Sequence, residues 1–170
     1  MRKVTPMIFG LATFTLIHVV LSLVGIVAGC VVVGGLMAGK RLDGWTGLFL
    51  ATTVLTNATG FGFPFTQLLP GHIVGALSLI ILAFVIVARY VKHLAGPWRN
   101  IYTVGSIVAL YLNVFVLVNQ LFLRIPALIV AAPHQNEPPF VVTQLLVLAL
   151  FIWLGRVTVK GFRIETSSVS

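Results

Sequence analysis

Val4 to Gly39 reads VTPMIFGLATFTLIHVVLSLVGIVAGCVVVGGLMAG, about 36 residues without a formal charge. A helix rising about 1.5 Å per residue would over this length exceed the roughly 30 Å hydrocarbon core of a bilayer, so the segment spans it with tilt or protrusion. Gly39-Lys40-Arg41 closes it, a glycine stop followed by interfacial cations. The rest of the chain agrees. Of 170 residues, 59% are hydrophobic and 8% charged, where a soluble domain has about 45–50% and about 25%. That balance excludes a cytosolic enzyme, a disordered tail and a nucleic-acid binder.

Working outward, the next uncharged run, Gly44 to Ala88, is long enough for two spans. Gly60, Gly62, Pro64, Pro70 and Gly71 interrupt it, which predicts a turn at Pro64–Gly71. The piece before the turn, Leu48 to Phe63, is short and polar, with Thr52, Thr53, Thr56, Asn57 and Thr59. The piece after it, His72 to Tyr90, is strongly apolar. A connector, Lys92–Asn100, leads to a fourth span from about Tyr102 to Leu123. Pro133, Pro138 and Pro139 make the following stretch an extended loop, and Phe140 to Leu154 is the fifth span. The expected fold is therefore all-α: one integral membrane helical bundle of about five transmembrane segments over residues 1–164, with a polar C-terminal tail at 165–170. No internal repeat is visible, which argues against an inverted-repeat transporter.

The charges give orientation. Eleven Lys and Arg stand against three Asp and Glu, and the cations cluster at the ends of the apolar runs. With five spans and the N-terminus outside, Lys40, Arg41, Arg89, Lys92, Arg99, Arg156, Lys160 and Arg163 face the cytoplasm, as does the C-terminus. Arg2, Lys3 and Arg124 face out. A re-entrant second segment with the N-terminus inside scores identically. Five full spans are preferred, because a re-entrant segment needs protein or water around its unpaired backbone and a small bundle supplies little of either. Trp45, Trp98 and Trp153 then fall near one face, as an aromatic belt does. Met1-Arg2-Lys3 before an apolar run resembles a signal peptide, and Val27-Ala28-Gly29-Cys30 a lipoprotein processing box. A cleavable apolar region is only about 7–15 residues long, however. An uncleaved helix is the better reading.

Candidate chemistry is sparse. Asp43, Glu137 and Glu165 all lie outside the apolar runs, so the membrane-depth carboxylate usual in proton-coupled pumps is missing. Cys30 is the single cysteine, which rules out an intramolecular disulfide. There is no phosphate-binding glycine loop, no Ser/His/Asp constellation and no paired carboxylate, so the chain reads as a non-enzyme without a metal site. His18 lies inside the first span and His72 opens the third. They could serve as a bis-histidine haem site if His72 dips inward, although His18 bonded to a neighbouring helix and His72 at the headgroups is the plainer reading. His93 stands about 31 Å along the helix from His72, too far to share a ligand with it, and His134 belongs to the proline-rich loop. On the fourth span Ser106, Asn113 and Gln120 recur every seven residues, with Tyr102 and Ala109 beside them. An unpaired amide in hydrocarbon is costly, so this stripe faces other helices or a wet cavity. Asn113 and Gln120, with Thr56 and Asn57 of the second segment, are the candidate wall of a solute pocket or conduit. The alternative is plain interhelical hydrogen bonding, with Thr143 and Gln144 of the fifth span as further partners. Gly25–Gly29 and Gly35–Gly39 are small-xxx-small patterns, which favour close helix packing within the chain or against a second copy or partner.

Several segments resemble a family of uncharacterised small bacterial multi-pass inner-membrane proteins: Phe49-Leu50-Ala51-Thr52-Thr53, Gly60-Phe61-Gly62-Phe63-Pro64-Phe65, Pro70-Gly71-His72-Ile73-Val74-Gly75, Ala95-Gly96-Pro97-Trp98-Arg99-Asn100-Ile101-Tyr102, Leu110-Tyr111-Leu112-Asn113-Val114-Phe115-Val116 and Glu137-Pro138-Pro139-Phe140. The likeness covers Trp45 to Gln144. It implies a bacterial inner-membrane location and transfers no catalytic residue. The leading functional expectation is a non-enzymatic membrane protein packing with itself or with partner subunits through Gly25, Gly29, Gly35 and Gly39. The alternatives are a passive conduit or pocket for a small neutral solute, and a haem-binding redox subunit.

Overall fold

A computed structural model describes the backbone of residues 4–62 and 70–164, and the side chains over 12–62 and 71–162. Most of the turn expected at Pro64–Gly71, the tail 165–170, Arg2, Lys3 and the Arg163 side chain lie outside the described residues.

Among the described residues the chain is all-α. Helix α1 is Val4–Met37, α2 is Asp43–Gly60, and α3 is Pro70–Ile86, continued by a π-helical turn at Val87–Val91. Then come α4 (Trp98–Arg124), a short α5 (Pro126–Ala131) and α6 (Pro138–Ile164). Four helices are long and apolar enough to cross a membrane: α1 from Ala12, α3 with its π turn, α4 and α6. Helix α2 is not among these four. At 18 residues it still measures about 27 Å.

Gly39 ends α1 as its sequence suggests. Its φ of 71° is left-handed, and two backbone bonds close the end, Gly39 N–H to Leu36 O and Lys40 N–H to Gly35 O. This is the Schellman pattern that satisfies the last carbonyls of a helix. The chain then turns at once into α2, which runs antiparallel to α1. Gly25 faces Thr52 and Thr53, Gly29 faces Phe49, and His18 meets Thr59. The order continues up and down. Asp43 meets Arg89 and Asn57 meets Ser78 across α2 and α3. Gly105 packs on Val85 across α3 and α4. Tyr111 meets Phe151 and Phe122 meets Phe140 across α4 and α6. Helix α2 thus begins at one end of the bundle and finishes at the other.

Hydropathy misplaced several helix ends. Helix α2 starts five residues before the expected Leu48, inside the charged connector, where Thr46 N–H already bonds Leu42 O. Helix α6 runs ten residues past Leu154, because Arg156 and Lys160 continue the helix after the apolar stretch stops. Lipid solvation ends before the helix does. Residues 126–131 form one more short helix, α5, since Pro126 at its first position has no N–H to lose.

The core lies between α1, α2, α3 and α4, centred on Val32, Leu36, Phe49, Leu82, Val85, Tyr102 and Leu110, all buried. Two threonines of α2, the buried Thr52 and the half-buried Thr59, are satisfied locally. The Thr52 hydroxyl donates to Leu48 O (2.7 Å), and that of Thr59 to Leu55 O (2.7 Å). Each is thereby satisfied within its own helix.

The glycine stripe of α1 is filled from inside. A Cβ on Gly29 would lie 2.7 Å from Leu110 Cδ1, and one on Gly35 2.7 Å from Leu42 Cδ1. Gly25 lies against Thr52 and Thr53, while Gly39 serves as the stop. Gly25, Gly29 and Gly35 of the expected docking groove are therefore faced by α2, α4 and Leu42 of the same chain.

Candidate functional site

Where α2 ends and α3 begins, α1, α2, α3 and α4 leave a cavity of about 150 Å³. Its wall includes His18, Thr56, Asn57, His72 and Asn113, five of the six side chains singled out from sequence. The room comes from Gly60, Gly71 and Gly75, which also line it.

Each polar wall residue is held by its helix. The Asn113 amide on α4 is buried and donates to Thr53 Oγ1 on α2 (3.3 Å). Asn57 Nδ2 donates to Thr53 O (2.8 Å) and to Ser78 Oγ (3.1 Å) on α3. Both of its N–H groups are thus in use, and Oδ1 remains as an acceptor beside Gly75. His18 Nδ1 lies 2.9 Å from Thr59 Oγ1. The Thr59 hydroxyl proton is directed to the α2 backbone, so the imidazole Nδ1–H donates to it. The His72 ring stacks obliquely on Phe61 (5.7 Å between centroids). Thr56 differs from the others. It is only 7% exposed, and its hydroxyl has no hydrogen-bond partner. A buried hydroxyl normally finds one. Among the described residues no carboxylate, lysine or arginine lines this space.

The cavity is blind. Toward the other end of the bundle, Phe49, Leu82, Val85 and Leu110 are fully buried between the same helices, and Tyr102 seals the far end with its hydroxyl on Thr46 Oγ1 (3.2 Å).

Gln120 does not join the wall. Its Oε1 accepts from Arg124 Nε (3.2 Å) at an exposed position. A seven-residue repeat drifts about 20° per heptad on a straight helix, and by the third repeat the stripe has rotated out of the interior. Ser106, Ala109 and Asn113 remain buried. From α6, Gln144 donates to Phe115 O (3.2 Å), and Thr143 bonds its own helix. Nor does the cavity fit a haem. His18 and His72 do share it, but pockets for drug-sized ligands hold about 300–1,000 Å³, and this one is far smaller. His93 lies at the opposite end, and His134 pairs with Glu137 in the loop before α6. Among the described residues no cluster of three metal-ligating side chains exists.

Two features escaped the reading of the sequence. Ser78 completes the polar wall through Asn57, and it is the one polar side chain between His72 and Arg89. That isolation in an apolar run was a usable signal. The second is a clasp at the far end of the bundle. Arg89, only 5% exposed, is ion-paired with Asp43 of α2 and lies against the rings of Tyr90 and Tyr102. Its place was legible, since Ser78, Leu82, Val85 and Arg89 follow the 4-3-4 spacing of one helix face. Its partner, 46 positions away, was not.

No protein-family model, curated protein or solved structure matches this chain. What composition and fold establish is a multi-pass helical membrane protein.

Proposed function

We propose that this chain is a non-enzymatic membrane protein that binds a small neutral polar solute in the blind pocket among α1, α2, α3 and α4. One observation carries the reading: the Thr56 hydroxyl is buried in the pocket wall with no partner, and leaving such a group unsatisfied costs on the order of 1–3 kcal/mol. Turned about χ1 toward the cavity that Thr56 lines, the hydroxyl would meet a bound hydroxyl or amide, with Asn57 Oδ1 as a second contact. Neutrality follows from a wall without formal charge. Size follows from volume: the space corresponds to roughly five waters at about 30 Å³ each. Closure by Phe49, Leu82 and Leu110 favours a pocket over a conduit.

The same proposal takes α2 as a fifth crossing, because its ends lie at opposite ends of the bundle. It puts the C-terminus in the cytoplasm, because Lys40, Arg41, Arg89, Lys92, Arg99, Arg156 and Lys160 gather at one end. A bacterial inner membrane is the location that the sequence resemblance supports.

The test uses purified protein in nanodiscs and a panel of urea, acetamide, glycerol and ethylene glycol, reading the thermal midpoint. A ligand that binds only the folded state at 100 times its Kd stabilises by about 2.7 kcal/mol. Thr56→Val keeps the shape and removes the hydroxyl. It is expected to leave the unliganded protein as stable as wild type or more so, and to abolish the ligand effect. If no solute gives a saturable shift sensitive to Thr56→Val, the reading is wrong. Turnover of any substrate by the purified protein ends its non-enzymatic part.

A second reading, assembly with itself or a partner subunit, is favoured by α6. Only 11% of its spanning window is buried, and Val142, Leu146 and Trp153 point outward. Cross-linking through a cysteine introduced at Leu146 tests it.

A further inference from the structure

Between α4 and α6 lies an open groove of about 570 Å³. Its bed is apolar, with Val104, Val108, Leu148 and Ile152 along it and the buried side chains of Ile107 and Phe151 beneath. Two cations, Arg156 and Lys160, stand at one end. They are four residues apart on one helix face, a separation of about 6 Å along the axis. We infer that this groove holds one anionic phospholipid, its phosphate between Arg156 and Lys160 and an acyl chain along the α4–α6 bed.

Depth supports this. Arg156 lies 18 residues into α6, about 27 Å from Pro138, close to the full thickness of the hydrocarbon core. Leu148 and Ile152 therefore sit at acyl-chain depth, and the two cations at headgroup depth. Charge complementarity names the occupant. Among the described residues neither cation has an ion-pair partner. Asp43 is taken by Arg89, and Glu137 pairs with His134 at the other end of α6. A planar guanidinium holds phosphate oxygens in a fork, with an ammonium as the second point of contact. Basic sites between helices at the cytoplasmic side select anionic headgroups on this principle. Gly155, next to Arg156 in the groove wall, supplies a notch. A Cβ there would meet no atom within 4 Å, so a larger side chain would fill space meant for the lipid without disturbing the protein.

The test is native mass spectrometry of the full chain in mild detergent with equimolar phosphatidylglycerol and phosphatidylcholine. The wild type is expected to retain a single phosphatidylglycerol with about 30-fold preference, the factor that two cations facing an anionic lipid contribute together. Arg156→Gln with Lys160→Gln removes the preference. Gly155→Leu removes the retained lipid while the thermal midpoint holds, and Arg124→Gln at the other end changes nothing. Equal retention of the two lipids by the wild type overturns the inference, and that comparison stands even if a variant fails to fold. Undiminished preference in the double variant also overturns it. So does a wild-type dimer that Gly155→Leu converts to monomer, which would assign the groove to a second copy.

Discussion

Replacing Gly29 by alanine tests whether the small residues of α1 serve the chain itself. The added Cβ would lie 2.7 Å from Leu110 Cδ1 and 2.9 Å from Phe49 Cε2. Carbon atoms pack best at about 3.5–4.0 Å, so both side chains must retreat by close to an ångström. Neither has room, because each is only 1% exposed. Overpacking of this kind costs about 1–3 kcal/mol. Gly34 on the same helix provides the control, since a Cβ there meets nothing within 4 Å. Reversible unfolding in mixed micelles, followed by circular dichroism, measures both variants at several protein concentrations. Gly29→Ala is expected to lose about 1–3 kcal/mol at every concentration, and Gly34→Ala to lose none. Loss by Gly34→Ala, or loss by Gly29→Ala that vanishes on dilution and grows as the protein is concentrated, would mean that the stripe faces a second copy and refute the packing argument.

Other outcomes follow from the same geometry. Asp43→Asn strands the buried Arg89 guanidinium and is expected to cost about 1–3 kcal/mol, between the limits for exposed and buried pairs. Adding Arg89→Met to it recovers most of that loss in the same unfolding assay. Asn113→Leu removes the bond to Thr53 and is expected to cost about 0.6 kcal/mol or more, whereas Gln120→Leu is silent. For Glu137, partial desolvation raises the carboxyl, but hydrogen bonds from its own backbone, His134 and Asn136 outweigh it and hold the group below the usual glutamate range. A depressed value means that the loop contact is fully present above about pH 4.3 and is lost as the pH falls through the folded value. Protection of the His134 and Asn136 amides, measured as exchange relative to the intrinsic rate at each pH, should therefore fall only in acid, and Glu137→Gln should lower that protection already at neutral pH.

The medium was the most legible property. Uncharged runs marked α1, α3, α4 and α6, because hydrocarbon tolerates few charges and each run is long enough to span it. Gly39 could be read as a stop from its neighbours alone. The pocket was legible to the extent that polar side chains in lipid must face inward, which singles out Asn113, Thr56 and Asn57. That His18 and His72 line the same cavity depends on how α1 meets α3, and no local pattern carries this. Gln120 falls outside the wall because a heptad repeat drifts around a straight helix. Arg89 reads as an interfacial cation in the sequence because its partner, Asp43, belongs to another helix.

The inward-bonded hydroxyls of α2 have a consequence for biogenesis. Thr52 and Thr59 already satisfy their own backbone, yet Thr56 and Asn57 make the segment a poor candidate to enter lipid alone. Helix α1 offers it a shielded face from Gly25 to Gly35, and the short Schellman turn at Gly39 brings the two together as soon as both leave the ribosome. On the proposed five-span topology the pair inserts together, with Lys40 and Arg41 holding the turn between them at the cytoplasmic face. Lengthening that turn would impair delivery to the bilayer before it touched the stability of the finished bundle.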